Sequence, residues 1–244
     1  MTGLGAVYRR ELAGYFATPV AYVLIFLFLF MSGLLTFYLG GFMERGQADL
    51  NAFSTFHPWI YLVFLPAIGM RLWAEERSKG TLEILLTLPI DLAAAVLGKF
   101  LAAWTLAAVA LALTFPLWLT VAWLGDPDHG VIAAGYLGSL LLAGAYLAIS
   151  GCLSALTRNQ VIAFVAAVVI CFLFTAAGAP IVLEFFSGWL PAIVTQTVAS
   201  FSFLTHFTGI SNGVIEARDL IFFLSSIVLW LFATALAIES EQAG

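Results

Sequence analysis

Charge is what this sequence lacks most. Asp, Glu, Lys and Arg make up 9 % of its 244 residues, against 63 % hydrophobic ones. A water-soluble domain carries roughly 25 % charged residues, so this chain cannot coat a globule with polar surface. Its basic residues number only nine and form no large cluster, which excludes a nucleic-acid surface. Cysteine is nearly missing: Cys152 and Cys171 both fall inside apolar runs, as small core residues do, rather than in a disulfide or metal pattern. No G-x-x-x-x-G-K-[ST] motif occurs, because "GKF" at 98–100 lacks the preceding glycine, so this chain is not expected to hydrolyse ATP itself.

Long apolar runs are what the chain has instead. Its mean hydropathy is +1.06, and runs of about 20 residues, enough for a helix to cross a hydrocarbon core, recur along it. The fold this predicts is an all-α, polytopic membrane protein with six transmembrane helices, over residues 19–41, 58–71, 92–124, 131–156, 161–183 and 220–238. Ahead of the first span, "GAVYRRELAGYF" sets Arg9, Arg10 and Glu11 among aromatics, the pattern of an interfacial amphipathic helix. The start also resembles a secretory signal. The apolar block from Val20 to Leu39 is too long for one, however, and no small-x-small cleavage site follows it. It is expected to stay as a membrane helix. No repeat, linker or low-complexity tract divides the chain, so residues 1–244 read as one domain.

Orientation follows from the positive residues, which favour the cytoplasmic side. With the N-terminus inside, Arg9, Arg10, Arg71, Arg77, Lys79, Lys99 and Arg158 collect in the cytoplasm, and only Arg45 and Arg218 stay outside. Both termini are therefore placed in the cytoplasm. Arg71 and Lys99 lie near cytoplasmic span ends, where they can snorkel. That leaves the membrane interior without the charges a proton- or sodium-coupled carrier uses.

The connection 184–219 is long but apolar ("FFSGWLPAIVTQTVASFSFLTHFTGISNG"). It reads as one or two short helices that dip back toward the membrane from outside, shielded by protein, with a tightly packed outer cap as the alternative. Within it, "GISNG" at 209–213 matches the nucleophile-elbow pattern, with His206 close by. That chemistry needs its serine on a strained strand-to-helix turn, which an all-helical chain does not offer. Ser211 and Asn212 are read instead as the turn before the last span. His57, His129 and His206 all fall on the outer side with no pair at ligand spacing, so no metal and no cofactor are expected.

One stretch breaks the apolar pattern: "LWAEERSKGTLEILLTLPI", residues 72–90. Arg71 with Glu75, and Glu75 with Lys79, are i,i+4 pairs that support a helix projecting beyond the second span. Gly80 suits its C-terminal stop. Thr81 can cap a new helix, with Glu83 in the first turn, where negative charge favours the dipole. Leu82, Leu85 and Leu86 share one face, and Pro89 halts the helix after about two turns. The product is a short helix along the membrane, its leucines anchored and its charges turned to the cytoplasm. On these residues alone it is either an interfacial loop element or a docking element for a cytoplasmic partner.

"EERSKGTLEILLTLPI" resembles the hallmark of ABC-2 type transporter permeases: an acidic pair, Gly-Thr-x-Glu, two leucines and a proline. "RRELAGYFATPVAYV", "FHPWIYLVFLPAIGMRLWAEE" and "LGKF" fit the same family in the same order, closest to its gliding-motility-associated subgroup. The resemblance implies a permease subunit that couples ATP hydrolysis, by a separate ABC ATPase subunit, to substrate movement across the bacterial inner membrane, with export the expected direction. It makes 80–89 the cytoplasmic coupling helix, with Glu75, Glu76 and Arg77 at its entrance and Gly80, Thr81, Glu83, Leu85 and Pro89 within it. It also implies a second permease subunit, a homodimer being expected, with the first, second and fifth spans along the seam. The alternative is a force-transmitting subunit that drives an outer-side accessory protein and moves no substrate.

Overall fold

Backbone groups in lipid have no water to bond, so an apolar run satisfies them as a helix. The computed structural model describes residues 2–42, 49–82, 91–187 and 192–242, and every regular element among them is helical. α1 (Thr2–Ala17) ends where Thr18 turns extended, φ −112° and ψ 147°, as the following Pro19 demands. α2 (Pro19–Leu34) opens on that proline and closes in a π-helical turn, Leu35–Leu39. α3 (Asn51–Gly69) and α4 (Arg71–Lys79) are separated only by Met70. α5 (Leu92–Ala112) and α6 (Phe115–Leu124) divide what the sequence reads as one span. The cause is Pro116, which has no amide to donate and whose ring clashes with the carbonyl four residues back. In the turn, Thr114 Oγ1 donates to the Leu111 carbonyl at 2.6 Å.

α7 (His129–Ala155) is capped by Asp128, whose Oδ1 accepts from the Gly130 and Val131 amides at 2.8 and 3.2 Å. α8 (Gln160–Ala176) is capped by Asn159 in the same way. Three short helices follow, α9 (Pro180–Ser187), α10 (Ala192–Ser200) and α11 (Phe203–Ser211), and then α12 (Ala217–Gln242).

α7 is the axis of the bundle. α3, α5, α8, α11 and α12 all pack on it, and every residue from Leu141 to Cys152 is buried. Small side chains make this possible, since lipid offers helices no hydrophobic drive to associate and close packing must hold them. Gly69 of α3 lies so close to Ser150 that a Cβ would not fit, and Gly144 touches Trp104 of α5 and Ile227 of α12. Trp104 Nε1 also donates to the Leu140 carbonyl at 2.9 Å.

Among the described residues, five stretches are long and apolar enough to cross a membrane: Pro19–Leu39, Asn51–Lys79, Leu92–Leu124, His129–Ala155 and Ala217–Ser240. The expected span at 161–183 is shorter. Its helix, α8, has 17 residues, about 25 Å against a core of about 30 Å. It ends ahead of Pro180, which has no amide to extend its ladder, and Gly178 in the turn is pressed against Ser202 and Thr205, with no room for a side chain. The second span starts earlier than expected, so His57 lies inside α3 rather than in an outer loop. Among its described residues, the connection before the last span holds three short helices rather than one or two. α11 packs as a cap, burying Phe203, Phe207 and Ile210, whereas Ile181 of α9 and Ile193 of α10 are exposed.

Candidate functional site: a charged cleft at one end of the bundle

Gly98 on α5 has no Cβ, and Val7 and the Leu4 carbonyl of α1 fill the place one would take. That close approach, with Tyr8 Oη 3.1 Å from Thr105 Oγ1, seats α1 on α5. It carries Glu11 to the neighbouring Lys99, where Oε1 lies 3.1 Å from Nζ. From the other side Glu76 of α4 reaches the same ammonium at 3.0 Å. The Trp73 ring centroid is 5.2 Å away, within cation–π range. The Lys99 side chain is only 3 % exposed. An ammonium so far from water costs several kcal/mol unless it is paired, and here two carboxylates pair it. Arg10 adds a second cation, 2.6 Å from Glu11 and 3.3 Å from Glu76. Three helices, one of them distant in sequence from the other two, are tied at one point.

The rest of the site runs along α4. Glu75 bonds Arg71 Nε at 2.9 Å and Lys79 Nζ at 2.7 Å, which are the two i,i+4 pairs read from the sequence. Gly80 ends the helix in the left-handed region at φ +68°, its amide donating to the Arg77 carbonyl at 3.3 Å. Thr81 Oγ1 turns back to donate to the Glu76 carbonyl at 3.3 Å. Together α1, α4 and Lys99 enclose a cleft of about 470 Å³ with Thr81 on its lining.

Two expectations change. Lys99 does not snorkel to water; it is buried and paired. α4 does not project freely either, because Leu72, Trp73, Ala74 and Arg77 are buried and Glu76 points inward to Lys99. The reason is the same in both cases: a buried lysine draws acids toward itself. Glu75 remains on the cleft wall, and Ser78 and Lys79 are exposed. Glu83, Leu85 and Pro89, with the helix expected over 80–89 beyond Leu82, lie outside the described residues.

The histidines have separate surroundings. His57 is buried, with Nδ1 2.9 Å from Ser139 Oγ; His129 Nδ1 accepts from Trp118 Nε1 at 3.0 Å. His206 Nδ1 lies 2.6 Å from Asp219 Oδ1, and its Nε2 bonds the Ser200 carbonyl at 2.9 Å. Both His206 nitrogens are thus taken, and Ser211 Oγ donates to the Thr208 carbonyl at 3.1 Å instead of to an imidazole. His206 and Ser211 do not assemble into a nucleophile pair.

Glu11 and Lys99 were not among the site residues named from the sequence. The available signal was a lone lysine inside the apolar "AAAVLGKFLAAW". Such a residue needs an acid partner if it is buried, and Glu11 and Glu76 share its end of the bundle.

Among curated proteins none matches the chain. A family model described as "ABC-2 family transporter protein" matches residues 48–238. The match begins after α2 and runs from α3 into α12, taking in α4, Gly80 and Lys99. With most of its length so matched, this all-α, multi-pass membrane protein belongs to the ABC-2 transporter family.

Proposed function

We propose that the chain is the permease subunit of an ABC transporter of the bacterial inner membrane, nearest the gliding-motility-associated permeases. A separate cytoplasmic ABC ATPase subunit hydrolyses ATP, and this chain turns the resulting motion into substrate movement, in the direction of export. The charged end faces the cytoplasm, both termini lie there, and the whole chain acts as one domain of six spans. α9 and α10 dip into the outer leaflet. Two copies pair across a two-fold axis along the first, second and fifth spans.

The observation that carries this reading is the cleft at Gly80. α1, α4 and α5 are locked together by Glu11, Glu76 and Lys99 where the chain enters "GTLEILLTLP". A push on 80–89 is therefore delivered to three helices at once. In this role Glu75 and Arg77 stiffen α4, Gly80 and Pro89 fix the ends of the coupling helix, Thr81 and Glu83 present polar groups to the ATPase, and Leu85 anchors it. A photo-crosslinking residue at Glu83 should capture the ATPase subunit, and one at Asp126 should not. Capture from Asp126 alone would remove 80–89 from the interface.

A second reading, a force-transmitting subunit driving an outer-side accessory protein, draws on the groove between α2 and α3. It holds about 440 Å³ and is lined by apolar side chains, among them Leu24, Phe28, Met31, Trp59 and Phe64. ATP-dependent change in the contents of vesicles carrying the permease–ATPase complex favours transport. ATP turnover that rises only with the accessory protein, with no change in contents, favours force transmission.

A further inference from the structure

Ser154 sits near the end of α7 and is fully buried. Its hydroxyl leaves its own helix and enters the gap between α3 and α4. Oγ donates to the Met70 carbonyl at 2.7 Å and accepts from the amides of Trp73 at 3.1 Å and Ala74 at 2.9 Å. One proton and two lone pairs are all a serine hydroxyl has, and all three are spent here.

The arrangement matters because α3 and α4 are nearly continuous. Met70 keeps helical torsions, φ −57° and ψ −27°, and its amide still donates to the Pro66 carbonyl at 2.8 Å. In an unbroken helix the amides of Trp73 and Ala74 would donate to the carbonyls of Gly69 and Met70. A side chain inserted into that ladder is one of the few causes of a helix break. Ser154 is such an insertion, and it acts on α4 as an N-cap supplied by another helix. Ser150, one turn earlier on α7, shows the contrast: it is also fully buried, but its hydroxyl donates to the Tyr146 carbonyl of its own helix, at 2.6 Å.

We infer that Ser154 is a positioning residue for α4: its hydroxyl holds the break at Met70 open, so that the direction of α4 is set by α7 rather than by continuity with α3. The inference rests on the proposed coupling role only for its consequence, that α7 aims the segment entered at Gly80. Without the hydroxyl, the Met70 carbonyl is free to accept the Ala74 amide, the ladder recloses, and α4 swings toward the axis of α3.

The test is a spin-label distance in the full chain, reconstituted in lipid nanodiscs without the ATPase, so that its outcome does not depend on the coupling role. Ser78→Cys on α4 and Arg158→Cys beyond α7 carry the labels; both positions are exposed. A nine-residue helix is about 13 Å long, and a swing of about 20° moves its tip by about 5 Å. Ser154→Ala should shift the distance by about that amount, and Ser150→Ala should not. The pair Ser154→Thr and Ser154→Val repeats the comparison at equal volume, should the alanine variant not accumulate: threonine keeps the parental distance and valine does not. An unchanged distance in Ser154→Ala and Ser154→Val, or an equal shift in Ser150→Ala, overturns the inference. A confirmed shift with normal ATP coupling would leave the pivot standing and contradict the coupling role.

Discussion

Lys99 and Glu76 lie 3.0 Å apart on two different helices, and Glu11 of a third approaches the same ammonium at 3.1 Å. Lys99→Met keeps the length of the side chain and removes its charge. It leaves two carboxylates, each about one-fifth exposed, with Arg10 as their shared cation among the described residues. Breaking a buried pair from one side costs about 3 kcal/mol or more. The expected result is a clearly lower thermal midpoint for the purified chain in detergent. A cycle of Lys99→Met, Glu76→Gln and the double variant should show coupling above about 0.5 kcal/mol. A cycle that closes to zero would mean that the three helices are held by packing alone.

The glycines of the first two spans should separate by role. Gly69 is pressed against Ser150, whereas a Cβ at Gly33 would meet nothing within 4 Å. Gly69→Ala must therefore push α3 off α7, and a loss of about 1–3 kcal/mol is expected for overpacking. Gly33→Ala should leave the stability of one subunit unchanged. Of the neighbouring small residues, Ser32 is buried and Gly40 faces Ala52 within the chain, which leaves Gly33 as the open position. Disulfide cross-linking of Gly33→Cys in membranes tests the pairing of two copies. A single-copy mass for the complex, with no cross-link, would contradict it.

Orientation is testable by thiol labelling. If the charged cleft faces the cytoplasm as proposed, Ser78→Cys should react with an impermeant reagent only after cells are opened. Asp126→Cys should react in cells whose outer envelope is permeabilised. Asp126 is preferred to Asp128, which caps α7. Labelling of Ser78→Cys from outside would invert the whole arrangement.

The helices were legible because each apolar run carries its own length and its own punctuation. Asp128 and Asn159 cap α7 and α8, and Gly80 stops α4. Breaks within runs were harder. Pro116 was visible, yet hydropathy alone carried the span through it. The burial of Lys99 was not legible, because an isolated lysine near a span end has two solutions, reaching water or finding acids. Which one wins depends on how closely α1 approaches at Gly98, a tertiary fact. Ser154 was hidden for a similar reason. In "ISGCLSAL" it looks like one more small packing residue, and only the placement of α4 shows where its hydroxyl goes.

The central claim is that 80–89 passes ATPase motion to the bundle, and it is tested most directly by ATP turnover in membranes holding both subunits. Glu83→Lys is preferred to a reversal at Glu75, because Glu75 also holds Arg71 and Lys79. Interface charges steer and register partners, so Glu83→Lys should reduce co-purification of the ATPase. Gly80→Pro should be harsher, since proline cannot adopt the left-handed φ of +68° found there. It is expected to abolish stimulated turnover while the permease still inserts at normal levels. Parental binding and parental stimulation in both variants would contradict the account, and would make the segment a passive interfacial loop.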